Sequence, residues 1–137
     1  MILCKAPTTE SQREIINAIN IFGTEGSLAF NESLLLQADG ALDFDVLKVA
    51  VERLTKRHDS LRMTFSPDGT SLFVHDQLQA QLEYVDTASS SNSAIQLEVI
   101  RKQAVIKPFD IQGGPLLRLI LVRESEHKST IVIVYTI

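Results

Sequence analysis

A chain of 137 residues, 45% hydrophobic and 22% charged, is long enough for one globular domain with its own core but not for two. The net charge of −4 gives no electrostatic basis for binding nucleic acid or an acidic membrane surface. Cys4 is the only cysteine, which excludes an intrachain disulfide, and no apolar run is long enough to span a bilayer. Because the first residues also lack a signal-peptide pattern, we expect a soluble, cytoplasmic protein.

The first predicted element is a helix over residues 7–22. Thr9 and Gln12 fit a capping box, in which each side chain satisfies a free backbone N–H of the other. Apolar residues then recur at helical spacing until Gly23; they are Ile15, Ile16, Ile19 and Phe22. Residues 24–31 are predicted to form a loop, and residues 32–39 a strand that ends at Gly40.

The clearest helical pattern covers residues 43–58. Asp43 can cap it, and Lys56 and Arg57 suit the negative end of the helix dipole. An apolar stripe runs through Leu47, Ala50, Val51 and Leu54, and His58 would extend it. The alternating "LRMTFS" at 61–66 predicts a half-buried strand with Leu61, Met63 and Phe65 on one face.

The remaining residues alternate in the same way. "SPDGTS" predicts a turn that joins residues 61–66 to 72–76 as a hairpin, and residues 82–86 predict another strand. After the polar loop "TASSSNS", Ser93 with Gln96 predicts the start of a helix that runs to about Ile106. "LLRLILVRE" and "TIVIVYTI" are two strongly apolar strands joined by a charged loop.

This order of elements predicts an α/β fold, a two-layer sandwich of a mixed, largely antiparallel sheet with helices packed on it. The last run is apolar on both faces, so we expect it near the centre of the sheet. Residue 137 ends that strand without a turn or a polar tail. We therefore expect residues 1–137 to form a single but incomplete domain.

Several kinds of site are disfavoured by the residue spacing. His58, His75 and His127 lie far apart, and no metal-ligand motif or phosphate-binding glycine loop occurs. Cys4, in a start that we expect to be frayed, has no histidine near it in sequence and is a poor candidate nucleophile. His75 and His127 are expected to be exposed, and the serines at 89–91 form a solvated loop.

The stretch "RHDSLR", residues 57–62, is the strongest candidate for function, and it has two interpretations. In the structural one, Arg57 complements the helix end and His58 packs on the core and hydrogen-bonds a carbonyl. In the functional one, Arg62 is buried and needs a counterion, because an unpaired guanidinium in the interior is costly. The acids of the chain lie mostly at helix starts and in loops, so we expect that counterion to be missing from these residues.

Four stretches together resemble one known family. They are "TTESQREI", "AFNES" with Asn31, "ADGALDFDVLKVAVERLTKRHDSLRMTF" and "PFDIQGGPLLRLILV". Their order and content are similar to the condensation domain of non-ribosomal peptide synthetases, with its "RHExLRTxF" and "PFDLxxGPLLRxxL" motifs. The chain departs from the family pattern at Ile16, commonly tryptophan, at Asp59, usually glutamate, and at Met63, usually threonine.

The resemblance implies the N-terminal, chloramphenicol-acetyltransferase-like half of such a domain, here incomplete. The family's catalytic "HHxxxDG" motif is expected directly after Ile137, so the chain itself holds no catalytic residue and is expected to be inactive alone. By carry-over, Arg62 supports the catalytic loop by pairing with the aspartate of that motif. Arg57 and His58 shape the corner between helix and strand.

The resemblance also implies the parent's chemistry and partners. The parent forms amide bonds between an acyl or peptidyl thioester and an aminoacyl thioester, each carried on the 4'-phosphopantetheine of a carrier protein. No cofactor or metal is bound directly. The expected partners are carrier protein domains and the C-terminal half of the condensation domain, and the isolated chain is expected to self-associate through its open sheet edge and inter-half face.

Three alternatives stay open at this point. The parent could be a non-catalytic module that only docks carrier proteins, since a fold does not guarantee its chemistry. It could be a related acyltransferase that uses a coenzyme A thioester. The chain could also be a complete, stand-alone α/β binding module.

Overall fold

The fold is given by a computed structural model that describes all residues from 1 to 137. Four α-helices and seven strands follow one another, with one short 3-10 turn. In chain order they are β1 (Ile2–Pro7), α1 (Glu10–Phe22), α2 (Thr24–Ala29), β2 (Asn31–Asp39), α3 (Phe44–Arg57), the 3-10 turn (Asp59–Arg62), β3 (Met63–Phe65), β4 (Ser71–His75), β5 (Gln81–Asp86), α4 (Ser93–Val105), β6 (Leu117–Ser125) and β7 (Lys128–Thr136).

The strands divide between two sheets. The smaller sheet has the order β1-β4-β3 and the larger one β2-β7-β6-β5, and only the β5–β6 pair is parallel. The predicted mixed, largely antiparallel α/β fold is confirmed, with the difference that two sheets share the strands. The prediction that the last apolar run lies near the centre of the sheet is confirmed too, since β7 lies between β2 and β6.

Helices lie on both faces of the larger sheet. Val51 of α3 packs on Leu117 and Leu119, whereas Leu97 and Ala104 of α4 belong to the larger core cluster on the opposite face. Successive residues of β6 alternate between these two clusters, as side chains of a strand must. The larger cluster also contains buried residues from α1, β3, β6 and β7, namely Ile16, Phe65, Ile120, Val122, Val132 and Val134.

Two of the three predicted helix caps are present. Thr9 Oγ1 accepts from the backbone N–H of Gln12 at 3.2 Å, and the Gln12 side chain accepts from the Thr9 N–H at 2.9 Å. The Asp43 carboxylate accepts from the N–H groups of Asp45 and Val46 at 2.8 and 3.1 Å. The predicted box at Ser93 does not form, because Asn92 takes the cap position and makes no side-chain bond there.

Two segments were predicted incorrectly at the N-terminal end. Residues 2–7 are not frayed but form β1, which pairs antiparallel with β4. Residues 24–29 are not a loop but form α2, which packs so tightly on α1 that a Cβ at Gly26 would lie 2.7 Å from the carbonyl oxygen of Ala18. Pairing with the distant strand β4 decides the structure of β1, whereas packing on the preceding helix decides that of α2.

The strand predicted over 61–66 also begins later than expected. Leu61 and Arg62 belong to the 3-10 turn, and only residues 63–65 extend as β3. None of the helices is both long and apolar enough to cross a membrane.

The cap of α3 gives a first testable prediction. Replacing Asp43 with alanine removes the acceptor for two backbone N–H groups, so we expect the free energy of unfolding to fall by about 1 kcal/mol. Urea denaturation followed by circular dichroism measures the change. Asp43→Asn keeps an acceptor oxygen and should retain most of the stability; an equal loss in both variants would contradict the cap as the cause.

The β3–β4 turn gives a prediction about pH. Hydrogen bonds from the Ser66 hydroxyl and from the backbone and side chain of Thr70 lower the pKa of Asp68 from its ordinary 3.8 to about 2. Because the folded pKa is depressed, the stabilisation is complete above the unfolded pKa and is lost as pH falls towards 2.

An NMR titration of the Asp68 carboxyl carbon should show a midpoint well below 3.8. Asp68→Asn should remove this contribution to the acid dependence of the turn. A midpoint at the ordinary value would show that these hydrogen bonds do not favour the ionised form.

Candidate functional site

Arg62 is the centre of the "RHDSLR" stretch, and it is buried, with only 5% of its surface exposed. Its Nε donates to the carbonyl oxygen of Thr55 at 3.0 Å, and its Nη2 donates to that of Lys56 at 3.2 Å. Nη1 donates to the carbonyl of His75, and Nη2 also reaches Asp59 Oδ1 at 2.6 Å. The guanidinium thus joins the last turn of α3, the 3-10 turn and the end of β4.

The carbonyl partners explain why an arginine is suited to this position. The last carbonyls of a helix have no partner within the helix, and Thr55 and Lys56 lie in the last turn of α3. A guanidinium carries five N–H groups in a fixed plane, and four bonds are used here. One N–H on Nη1 therefore has no partner within the chain.

The prediction that Arg62 lacks a counterion in this chain is wrong. Asp59 supplies one, because the 3-10 turn brings residues three apart in sequence onto the same side. Its side chain is 75% exposed, so solvent screens the attraction. Most of the hydrogen bonds of the buried guanidinium go to carbonyl groups rather than to this acid.

Arg57 and His58 lie at the outside of the corner, and both are exposed. His58 ends α3: its backbone N–H donates to the carbonyl of Leu54, and its own carbonyl accepts from Leu61, both at 3.1 Å. The interpretation in which the His58 ring packs on the core is therefore wrong, because α3 ends before its apolar stripe reaches this side chain. A role of Arg57 and His58 in shaping the corner stays a prediction.

The 3-10 turn lies beside the end of β7. A cavity of about 260 Å³ separates them, and it is mostly apolar. Its lining is Ser60, Leu61, Met63, Phe65, Leu116, Leu117, Tyr135, Thr136 and Ile137. The "RHDSLR" stretch and residues 135–137 therefore border the same space, although about 75 residues separate them in sequence.

A second buried arginine was missed by the sequence analysis. Arg118 of β6 is 7% exposed, and its guanidinium donates to the carbonyls of Ala104, Lys107 and Pro108 at 2.7–3.0 Å. It also stacks over the Phe109 ring, with the guanidinium carbon 3.7 Å from the ring centroid. Burial lowers the pKa of this guanidinium, and the Glu83 carboxylate partly opposes that shift.

Asn31 also contacts this helix end. Its Nδ2 donates to the carbonyl of Val105 at 2.8 Å, and this asparagine is the first residue of β2. Arg118 Nε and Asn31 Oδ1 are buried without partners. The sequence signal was present, since Arg118 and Asn31 belong to the quoted "PFDIQGGPLLR" and "AFNES" stretches.

The other candidates lie apart from one another. His75 is half-buried rather than exposed, and its Nε2 lies 2.6 Å from Thr64 Oγ1. Cys4 is exposed on β1, and His127 is exposed in the loop between β6 and β7. No three His, Cys, Asp or Glu side chains are grouped so that they could hold a metal ion.

Comparison with known proteins shows a family match. The family model described as "Condensation domain" matches residues 5–135. Chondramide synthase cmdD of Chondromyces crocatus is 33% identical over 132 residues, which cover 93% of this chain and 3% of that protein. Tyrocidine synthase 3 of Brevibacillus parabrevis is 35% identical over 103 residues, covering 72% of this chain and 2% of that protein.

Solved structures agree in fold. The starter condensation domain of rhizomide synthetase RzmA has a TM-score of 0.88 and 16% identity, over 97% of this chain and 34% of that chain. The condensation domain from the monacolin K polyketide synthase MokA has a TM-score of 0.83 and 19% identity, over 98% of this chain and 30% of that one.

The chain thus spans about a third of these solved chains and a few per cent of the matched synthases. The matched sequence and the fold both indicate a condensation domain. The chain belongs to the condensation domain family of non-ribosomal peptide synthetases.

Proposed function

We propose that this chain is part of the first half of a condensation domain whose parent protein joins two carrier-bound thioesters through an amide bond. Peptide bond formation is the general function of the family, to which residues 5–135 belong. Condensation domains work with the carrier protein domains of their synthetases, so carrier proteins and a second half-domain are the proposed partners.

One geometric observation supports this function best. The end of β7 and the 3-10 turn border one cavity, which is lined by the neighbours of Arg62, Leu61 and Met63, and not by Arg62 itself. The Arg62 guanidinium keeps one N–H on Nη1 without a partner in this chain. We place the family's "HHxxxDG" motif directly after Ile137, at the edge of this cavity. Its aspartate would then accept from Arg62, in a charge-assisted contact that fixes the catalytic loop.

In this proposal the residues of this chain position the reaction and do not carry it out. The acceptor amine attacks the donor thioester carbonyl, the carbon–nitrogen bond forms, and the thiol of the donor phosphopantetheine leaves. Because a thioester is already an activated acyl donor, alignment of the two substrates and stabilisation of the tetrahedral intermediate contribute most. Arg62 acts on the reaction only through the loop that it holds.

A coenzyme A-dependent acyltransferase is the second candidate. One structure of a doubly substituted mutant of the RzmA starter domain is a complex with C8-CoA and Leu-SNAC, so a domain of this fold can accommodate a coenzyme A thioester. A non-catalytic docking module for carrier proteins is the third. The residues encoded after Ile137 separate it from the enzymes, because an intact "HHxxxDG" is required only for catalysis.

The parent synthetase tests the proposal directly. Donor and acceptor carrier proteins loaded with their thioesters are mixed with it, and the amide product on the acceptor carrier is measured by mass spectrometry. We expect product with the carrier-bound donor and at least tenfold less with the same acyl group on coenzyme A. The reverse preference would favour the acyltransferase, and binding of carriers without product the docking module.

Variants of the parent test the role of the corner residues. Arg62→Lys should lower the amide-forming rate at least tenfold, because an ammonium cannot serve the four acceptors and the loop together. His58→Gln should keep most of the turnover, since the exposed imidazole touches none of these groups. An inactive but folded His58→Gln protein would overturn this assignment.

The stability of the 137-residue chain provides an independent prediction about Arg62. Arg62→Ala leaves the carbonyls of Thr55, Lys56 and His75 without their donor, so we expect a loss of about 1–3 kcal/mol for each carbonyl that stays buried without a partner. Asp59→Asn should cost less than about 1 kcal/mol, because that carboxylate is largely exposed. Urea denaturation compares the two, and equal losses would mean that the ion pair, not the carbonyl network, holds the corner.

A further inference from the structure

Strand β2 forms one edge of the larger sheet, with β7 on one side and nothing on the other. It pairs with β7 over nine consecutive residues without a register shift. Leu34, Leu35 and Leu36 at its middle are exposed to 51%, 36% and 46%. The strand therefore offers a long, regular and apolar edge.

Edge strands in proteins normally carry features that prevent pairing with another chain. These features include short length, a bulge, proline and charged side chains, lysine above all. β1, an edge of the smaller sheet, has several of them: a register shift between Ile2 and Cys4, together with Lys5 and Pro7. β2 contains no proline, no lysine and no bulge, and at nine residues it exceeds the usual length of about 5–6. Its two charged residues, Glu32 and Asp39, lie near its ends and leave the middle of the strand uncharged.

The sequence of β2 is complementary to itself in one arrangement. If two copies pair antiparallel with Leu35 opposite Leu35, each Leu34 faces a Leu36, and each Glu32 faces an Ala38. Asp39 then faces Asn31, so no like charges are opposed. A parallel, in-register pair would instead place Glu32 beside Glu32 and Asp39 beside Asp39.

The surfaces beside β2 suit the same arrangement. On one face, Leu34 and Leu36 continue into β7 through their cross-strand neighbours Ile133 and Ile131. On the other face, Arg101 of α4 lies 3.4 Å from Ser33 Oγ and is paired with Glu98. A second copy would therefore meet an apolar surface on one side and both signs of charge on the other.

We propose that two copies of this chain pair through β2, antiparallel and with Leu35 on the two-fold axis, to form one continuous sheet from the two four-stranded sheets. The occupant of the edge is a second copy rather than an unrelated strand, because β2 supplies its own complement in shape and charge. Backbone hydrogen bonds between the edges give affinity, and the leucines set the register. This pairing does not depend on the proposed condensation chemistry.

Disulfide trapping tests the register. In a Cys4→Ser background, Leu35→Cys places two thiols across the axis, where the Cα atoms of an antiparallel pair lie about 4.5–5.5 Å apart, within disulfide range. Gln37→Cys is the matched control on the same strand and face, because its two copies would be about 13 Å apart at roughly 3.3 Å per residue. We expect at least tenfold faster cross-linking with Leu35→Cys, and equal rates would overturn the proposal.

Charge substitution tests the same pairing without a covalent bond. Leu34→Lys combined with Leu36→Glu places opposite charges across the axis and should preserve a dimer in sedimentation velocity. Leu34→Lys combined with Leu36→Lys opposes like charges and should give a monomer with an unchanged circular dichroism spectrum. Two results would show that the edge is not a self-pairing surface. One is an unsubstituted chain that stays monomeric at all concentrations, and the other is a double-lysine variant that dimerises as the unsubstituted chain does.

Discussion

A buried guanidinium must place its N–H groups on acceptors. This requirement fixes the corner between α3 and β3, on which the rest of the fold depends. Arg62 meets this requirement with carbonyls from two elements. One is the end of α3, which covers the larger sheet, and the other is the end of β4, which belongs to the smaller sheet. The cation therefore connects the smaller sheet to the helix that covers the larger one. The chain direction between α3 and β3 follows from this geometry.

On the opposite face of the larger sheet, Arg118 is also paired with carbonyl groups at the end of a helix. Its donors take the last carbonyls of α4 and the following residues, while its Cα lies on β6 in register with Val134 of β7. Each of the two helices that cover the larger sheet is thus attached at its C-terminal end by a buried arginine that follows the helix in sequence.

The elements that the sequence predicted well are those determined by neighbouring residues. The caps at Thr9 and Asp43 and the two apolar strands β6 and β7 each have a local signal, and each was found. β1 was missed because a distant partner, β4, decides its conformation, and α2 because its conformation depends on packing against the preceding helix α1. Arg62 was recognised as the key side chain, but its partners could not be, because carbonyl groups leave no trace in the residue types.

The way Arg118 is satisfied has a consequence for the conditions that the fold tolerates. Its acceptors are peptide dipoles and an aromatic ring, which neither titrate nor exchange their partner for dissolved ions. Ionic strength and acidity act mainly on exposed carboxylates and their partners. The direct contacts of this attachment of helix to sheet are consequently indifferent to the salt and proton content of the surrounding solvent, and the Glu83 carboxylate acts on Arg118 only through space.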